Sequence, residues 1–402
     1  MAKVAIIGAG IAGCATALLL YEQGHEIHVF EARDRLDEVK GAGLLLQPAG
    51  LSMLKRLGLY NEVMQNGARI SSLFGCNHKG QRVLDLVYAK LQPHYHGLGI
   101  ERQHLFKLLQ NQLEAQTISI EWNTEITTMV QHERQVDLQD QNHRTFIGFN
   151  AIVVANGRRS SIHLSCGIWR KIIPYPWGAL WTLCRDHTDA THSQMLKQTY
   201  AGTQKMLGIL PVGKDKENFN RASLFWSLHN EQFTTWQNQP ISQWKEEVLL
   251  LNPNLEQTLL SIEHHEQLNF ASYNDIYMKD FHKHRVIFIG DAAHAMSPQL
   301  GQGANLALTD AALLADCLSH ESEIPKAYAN YTKLRKHTIC YYQRLSRLMT
   351  PLFQSNYLGL GKARDVCLYP LSQLPLVNRL MLATLACLKP SFWRKTHHTE
   401  LN

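Results

Sequence analysis

The apolar positions of this chain fall into two patterns. Short apolar runs at residues 4–7, 151–154 and 286–289, and a fourth at 27–30 interrupted only by His28, are of the kind a buried parallel strand needs. Helical stretches lie between and after them. Residues 11–21 are Pro-free, residues 50–57 end at Gly58, and a helix from Arg102 has Leu105, Leu108, Leu109 and Leu113 on its apolar face. Residues 304–318 predict a helix in which Asn305, Thr309 and Asp316 form one polar stripe among Leu and Ala. In the middle the pattern changes. Residues 118–146 alternate in short pieces (ISIEW, EITTMV, QVDLQ) and predict an antiparallel meander. Residues 170–273 read as sheet-rich and aromatic, with tryptophans at 169, 177, 181, 226, 236 and 244 in or beside them. Most of these belong in a core, although a domain that buries an apolar or aromatic molecule has the same composition. Residues 328–395 read as mostly helical, with turns expected at Pro351, Pro370 and Pro375.

Two glycine-rich turns add chemistry to this outline. Gly8-Ala9-Gly10-Ile11-Ala12-Gly13 is a GxGxxG joining the first strand to its helix, and the second strand ends at Glu31. Gly8 suits the tight turn, Gly10 lets a pyrophosphate approach the backbone, and Gly13 lets helix and strand pack closely. The helix N-terminus favours phosphate, and Glu31 can accept hydrogen bonds from ribose hydroxyls. Strand, motif, helix, strand and acid in this order predict a dinucleotide site, and Glu31 disfavours a 2′-phosphate there. The second turn is Gly290-Asp291 after the fourth strand, with Gly301 and Gly303 opening the 304–318 helix. Glycines at a helix start leave backbone N–H groups free to approach a ligand. No second GxGxxG follows a strand, so the chain has no dedicated Rossmann unit for another dinucleotide.

With 402 residues and 45% hydrophobic content the chain can bury a large core, as two packed domains or one large one. Its eight cysteines are scattered without a CxxC, and Met1-Ala2-Lys3 runs straight into a strand, so a reducing cytoplasm fits best. The histidine pairs at 264/265, 282/284 and 397/398 have no recognisable ligand spacing, and no metal site is predicted. The formal charge of +6 resides wholly in the segment from Arg344 onward, where only Asp365 and Glu400 are acidic. That segment could be a solvated helical layer or could lie on the inner face of an anionic membrane. It contains no spanning helix, since Asn378 and Arg379 interrupt the best candidate. Nothing supports nucleic-acid binding.

Taken together, GxGxxG with Glu31, GAGLLLQP at 41–48, Arg102, and GDAAHAMSPQLGQGANLAL at 290–308 resemble the single-component FAD-dependent aromatic hydroxylases, the group of para-hydroxybenzoate hydroxylase and the ubiquinone-biosynthesis hydroxylases. The resemblance spans about residues 1–345. It implies an α/β fold (α+β overall): a discontinuous Rossmann-like FAD-binding domain (1–72, 98–165, 274–345), an inserted sheet-rich substrate domain (73–97, 166–273) and a helical C-terminal region (346–402). It also implies that Gly8, Gly10 and Gly13 cradle the pyrophosphate, that Glu31 takes the adenosine ribose, that Ile126 offers backbone groups to adenine, and that Ile11, Ala12 and Arg33 belong to the same cofactor-binding set. Arg102 would reach the phosphate and ribityl region, and Asp291 the ribityl hydroxyls. Gly301, Gly303, Ala304 and Asn305 would meet the flavin's pyrimidine edge, Pro298 would line the cavity where oxygen and substrate meet the ring, and Gly43, Leu44, Asn156 and Gly157 would complete the site. In such enzymes NADPH or NADH reduces the flavin transiently, O2 adds to form a hydroperoxide, and one oxygen passes to an aromatic or apolar small molecule.

One departure stands out. Where the family has DGxxSxxR, this chain has Asn156-Gly157-Arg158-Arg159-Ser160-Ser161-Ile162-His163, so an amide replaces the acid and His163 the terminal Arg. Arg158 and Arg159 are the candidates to compensate for reductant binding. No catalytic base is identified; His294, Gln47 and Tyr175 are suggested only by position. A related reductase or halogenase, or a nonenzymatic flavin-binding protein, remains open on the sequence, although the halogenase signature WxWxIP is absent.

Overall fold

The structure, a computed structural model, describes residues 1–34, 42–188 and 190–389. Gly41, the first residue of the 41–48 stretch, and the tail with Arg394, Lys395 and the 397/398 histidines lie outside the described residues. The four apolar runs become strands of one six-stranded sheet, ordered His282–Lys283, Val286–Phe288, Ala151–Val154, Lys3–Ile7, Glu26–Phe30, Ile120–Glu121. All neighbours are parallel except the edge pair formed by the first two. The ISIEW piece is a correction. Instead of opening the meander, Ile120–Glu121 pairs in parallel with Glu26–Phe30, because the helix Arg102–Ala115 runs back over the sheet and delivers the chain to that open edge. The meander proper is Ile126–Gln131, Val136–Asp140 and Thr145–Phe149.

Helix Ile11–Glu22 is buried on every side from Ile11 to Leu20, as its lack of a polar stripe requires, and it packs between the sheet and helix Gly303–His320. The latter helix departs from its expected pattern. Asn305 and Asp310 are both fully buried, while Thr309 is half-buried and Asp316 pairs with Arg56 near the surface. The expected stripe is therefore split between inside and outside, because two of the helix's polar groups bond to backbone and side chains of the site.

A seven-stranded sheet, ordered Asn269–Met278, Arg170–Arg185, Asn220–His229, Lys205–Lys214, Met195–Ala201, Ser72–Asn77, Arg82–Val87, forms the second layer. Its faces differ. Trp226, Trp236 and Trp244 pack with Leu180, Leu207 and Leu224 on one face under short helices. Trp181 and Phe225 sit opposite each other on neighbouring strands and turn to the other face, with Leu183, Leu210 and Val212. Trp177 is core, edge-on to His229, and Trp169 is exposed.

Helices Ile324–Phe353, Leu358–Gln373 and Pro375–Leu385 close the described chain. Pro351 and Pro370 do not break it, contrary to expectation. Each lies in the last turn of its helix, and Pro375 opens the next one, where a missing N–H removes no helical bond.

Candidate functional site

The site begins at Gly8. Its φ of +107° and the 2.7 Å separation between a built Cβ and the Ala155 carbonyl oxygen leave room only for glycine. The turn brings the Ala9 N–H within 2.8 Å of Glu31 Oε2, while Glu31 Oε1 accepts from the Arg33 backbone N–H (3.1 Å) and Nε (2.9 Å). Glu31 is thus buried as the anchor of the turn, and one of its roughly four lone-pair sites remains for a ligand. The 123–126 turn lies alongside, with the Thr124 N–H on the Glu31 carbonyl; Ile126 follows, its side chain in the core.

Arg33 and Arg102 both lie over the Phe106 ring, at 5.9 and 5.3 Å. Arg102 is exposed yet crowded. Desolvation first, then the charges of Arg33 and Arg158, lower its pKa, and Asp291 opposes them. Four charged residues from four separate chain segments therefore share one cleft, with three cations around one acid.

Beyond Asp291 the burial pattern is selective. From Val286 to Leu318 the exposed residues are four: Asp291, Pro298, Gly301 and Gly303. Gly290 makes this possible, since its φ of +57° with ψ of −145° ends the strand sharply and turns Asp291 outward. Asn305 fixes the loop from behind. Its Oδ1 accepts the Gln47 N–H at 2.7 Å, and its Nδ2 donates to the Leu45 and Gly301 carbonyls at 3.1 and 3.2 Å. Gly43 and Leu44, on strand Gly43–Leu46, and Ala304, at the helix start, are half-buried beside it.

This cleft fits FAD. The first helix and helix Gly303–His320 both begin without a side-chain cap, so their leading N–H groups are open to an anion or a carbonyl oxygen. Gly157 and Gly301 have nothing within 4 Å of a built Cβ, and Gly10 has only the Ala155 oxygen at 3.9 Å. Two buried polar atoms at its edge, Asn156 Oδ1 and Gln47 Nε2, have no hydrogen-bond partner in the protein, as expected of groups awaiting a ligand. The profile of the FAD binding domain family matches residues 1–332. The chain belongs to that family. Within it, this FAD binding domain protein is similar to curated FAD-dependent monooxygenases. The FAD-dependent monooxygenase esdpE of Penicillium shearii is 24% identical, over 88% of this chain and 76% of its own. The probable 2-heptyl-3-hydroxy-4(1H)-quinolone synthase AqdB2 of Rhodococcus erythropolis is 23% identical, over 85% and 86%. Among solved structures, HpxO of Klebsiella pneumoniae complexed with FAD and uric acid superposes with a TM-score of 0.81 at 18% identity, over 96% of this chain and 97% of that one. The chain is accordingly an FAD-dependent monooxygenase of the aromatic-hydroxylase type.

The positional candidates for a base fare differently. His294 is buried with Nε2 2.6 Å from Asp310 Oδ2, and it holds structure together. The Tyr175 hydroxyl donates to Asp275 Oδ2 at 3.0 Å, and desolvation raises its pKa further. Gln47 Oε1 accepts the Tyr88 hydroxyl at 2.6 Å. Asp310 and Arg335 escaped the sequence reading altogether. The Arg335 Nε donates to Asp310 Oδ1, and the Gly290 N–H to Oδ2 at 2.8 Å. Only spatial proximity links these residues, so no motif signals them. Arg170 was also missed. It donates to the Arg158 and Ser160 carbonyls and, after desolvation, is the main influence lowering the pKa of His163, so it supplies a cation beside the position where the family motif has arginine. Arg158 itself donates to the Ser272 carbonyl, and Arg159 is exposed.

Replacing Arg102 by Ala is expected to weaken FAD binding about 10- to 100-fold, the loss of one or two charge-assisted hydrogen bonds. Flavin-fluorescence titration of the apoprotein measures it, and an unchanged Kd would remove Arg102 from the site.

Proposed function

We propose that the chain hydroxylates or epoxidises a small aromatic or apolar molecule with O2, taking electrons from NADPH or NADH that docks transiently. The observation that carries this is the exposure pattern of the late loop, in which Asp291, Pro298, Gly301 and Gly303 are exposed between a buried strand and a largely buried helix. Residues 1–72, 98–165 and 274–345 hold the cofactor in this reading, and 73–97 with 166–273 hold the substrate. The uric acid of the Klebsiella complex and the quinolone in the Rhodococcus protein's name are both aromatic heterocycles, which favours a substrate of that class.

When bound, FAD supplies the redox chemistry, accepting a hydride and activating O2 for transfer of one oxygen atom. The chain's residues position and shield. Gly8, Gly10 and Gly13 with Arg33 and Arg102 take the pyrophosphate end. The N–H groups of Gly303 and Ala304, at the uncapped start of helix Gly303–His320, would hold the flavin ring and stabilise negative charge on it. Trp181, Leu183 and Phe225 exclude water on the substrate side. The Trp181 Nε1–H donates to the Tyr273 hydroxyl at 2.9 Å, which leaves the Tyr273 proton to bond an oxygen or nitrogen of the substrate. Burial pushes Tyr273 up to about 12, so that proton is kept at neutral pH.

Among the described residues no helix is long and apolar enough to cross a membrane, and contact with a membrane would be peripheral. The test is direct. Purified protein should show the yellow flavin spectrum and oxidise NADPH or NADH faster under air when a phenol or quinolone substrate is supplied, with oxygenated product by mass spectrometry. Substrate-dependent turnover that proceeds equally without O2 would overturn the proposal in favour of a reductase.

A further inference from the structure

Helix Leu358–Gln373 exposes an unusual share of its apolar side chains, although Leu368 packs inward. It buries Gly361, Arg364 and Ser372, while Leu358, Val366 and Leu371 point outward with 61%, 64% and 48% of their surface exposed. The buried cation is well accommodated. The Arg364 guanidinium pairs with Asp365 at 2.6 Å and lies 4.6 Å from the Tyr200 ring centroid. The outward apolar face is therefore not the by-product of a disordered core. It continues through Leu374 into helix Pro375–Leu385, where Leu376 is 85% and Leu380 46% exposed. A shallow hollow of about 720 Å³, lined by residues 356–360, adjoins it. Exposed large apolar side chains concentrated on two successive helices mark a candidate interaction surface.

Charge selects the occupant. Residues 344–389 carry six Lys and Arg against one acid, Asp365. That acid is held by Arg364 and by Asn77 Nδ2 at 3.1 Å, whereas Lys362 and Arg379 are exposed on the two helices that carry the apolar face. Leucines flanked by cations, without an available carboxylate, complement anionic headgroups above acyl chains. The same element also reaches the substrate side. Leu382 and Leu385 pack in the cluster of Trp181, Leu210 and Phe225, and the Leu385 carbonyl accepts from Gln302 Nε2 at 2.9 Å beside the flavin loop.

We propose that the outer face of helices Leu358–Gln373 and Pro375–Leu385 docks on an anionic phospholipid bilayer, and that the substrate is a lipophilic aromatic molecule taken up from it. The second clause rests on the monooxygenase reading above. The flavin-loaded full chain should co-sediment with vesicles of phosphatidylcholine containing phosphatidylglycerol, and far less with phosphatidylcholine alone. Leu371→Glu with Leu376→Glu should lower the partition coefficient about tenfold or more, and Lys362→Glu with Arg379→Glu should remove the preference for the anionic lipid. Flavin absorbance and oxidation of a water-soluble substrate should be unchanged in both variants. Absence of vesicle binding, or binding insensitive to the leucine pair, overturns the docking face. So does light scattering that shows a dimer which the leucine variant dissociates, since the face would then belong to a second copy. A protein without flavin that still binds vesicles sinks the monooxygenase reading and leaves the docking face standing.

Discussion

Asp310→Ala is expected to destabilise the protein by roughly 3–5 kcal/mol, the cost of leaving a buried guanidinium without its counter-charge. Asp310 is fully buried and receives the Arg335 guanidinium, His294 Nε2 at 2.6 Å and the Gly290 N–H at 2.8 Å. Burial alone would push its carboxyl up, but Arg335 and His294 outweigh that and hold it well below the usual carboxylate range. The sign of the pH dependence follows. A folded-state pKa below the unfolded value of about 3.9 means that the unfolded chain takes up the proton first as pH falls. The stabilisation is complete above about pH 5 and drains away as pH drops through 4 toward the lower folded-state pKa. The urea midpoint of the wild type should therefore fall over that window, and Asp310→Ala should be both less stable at pH 7 and flatter below pH 5. Asp310→Leu combined with Arg335→Met removes both charges and should lose less than Asp310→Ala alone. A double variant as unstable as the single one would show that the Gly290 and His294 bonds, not the ion pair, carry the effect. Flavin content should fall with stability, because Asp310 holds both the Gly290 turn and the segment that presents Asp291.

That network marks the boundary of what the sequence makes legible. Gly8, Gly10 and Gly13 were readable because their constraint is local: three backbone positions within six residues must accommodate a turn, a ligand and a helix contact. The strands at 4–7, 151–154 and 286–289 were readable because burial on both faces leaves no polar residue in the run, and the one at 27–30 because a single His28 interrupts it. Asp310, Arg335 and His294 come from three elements; Asp310 and Arg335 each look like ordinary helix polar residues, and His294, suggested by position as a base, gives no sign of its partner. Asp316, assigned to the same stripe as Asn305, ends up at the surface, because a helix pressed between two layers has more than one buried side. Glu121 illustrates a different failure. Its segment alternates as meander strands do, but its partner is chosen by the open sheet edge that the preceding helix reaches. The helix at residues 358–373 departs from the periodicity rule, since Leu358, Val366 and Leu371 are exposed and only the fold reveals that Arg364 is buried. The assignments of individual residues to FAD rest on the resemblance, and the structure contributes the cleft, the uncapped helix starts and the unpartnered Asn156 amide oxygen.

Gly13→Ala is expected to abolish flavin retention, with affinity lower by more than about 100-fold, or ~3 kcal/mol. A Cβ built on Gly13 would sit 1.8 Å from the Gly8 carbonyl oxygen and 3.1 Å from its carbon. Both contacts are backbone, so no side-chain rotation relieves them, and Gly8 cannot retreat because its own Cα already faces Ala155 and Asn156. The helix must therefore move off the strand, and it carries with it the uncapped N–H groups that would receive the pyrophosphate. Stability falls too, because Ile11 to Leu20 are buried and any shift of that helix disturbs its packing against helix Gly303–His320. Gly10→Ala separates the two consequences. Gly10 has φ −78° and ψ −175°, an extended conformation that alanine adopts freely, and its built Cβ meets only the Ala155 oxygen at 3.9 Å. The added methyl group occupies the cradle without straining the fold, so Gly10→Ala should lose FAD while the apoprotein unfolds at nearly the wild-type urea concentration. Gly13→Ala should lose both. If Gly13→Ala retained stoichiometric FAD through gel filtration, helix and turn could not be in the contact that a 1.8 Å approach describes. If Gly10→Ala retained it, the pyrophosphate would have to lie elsewhere than over the N-terminus of helix Ile11–Glu22.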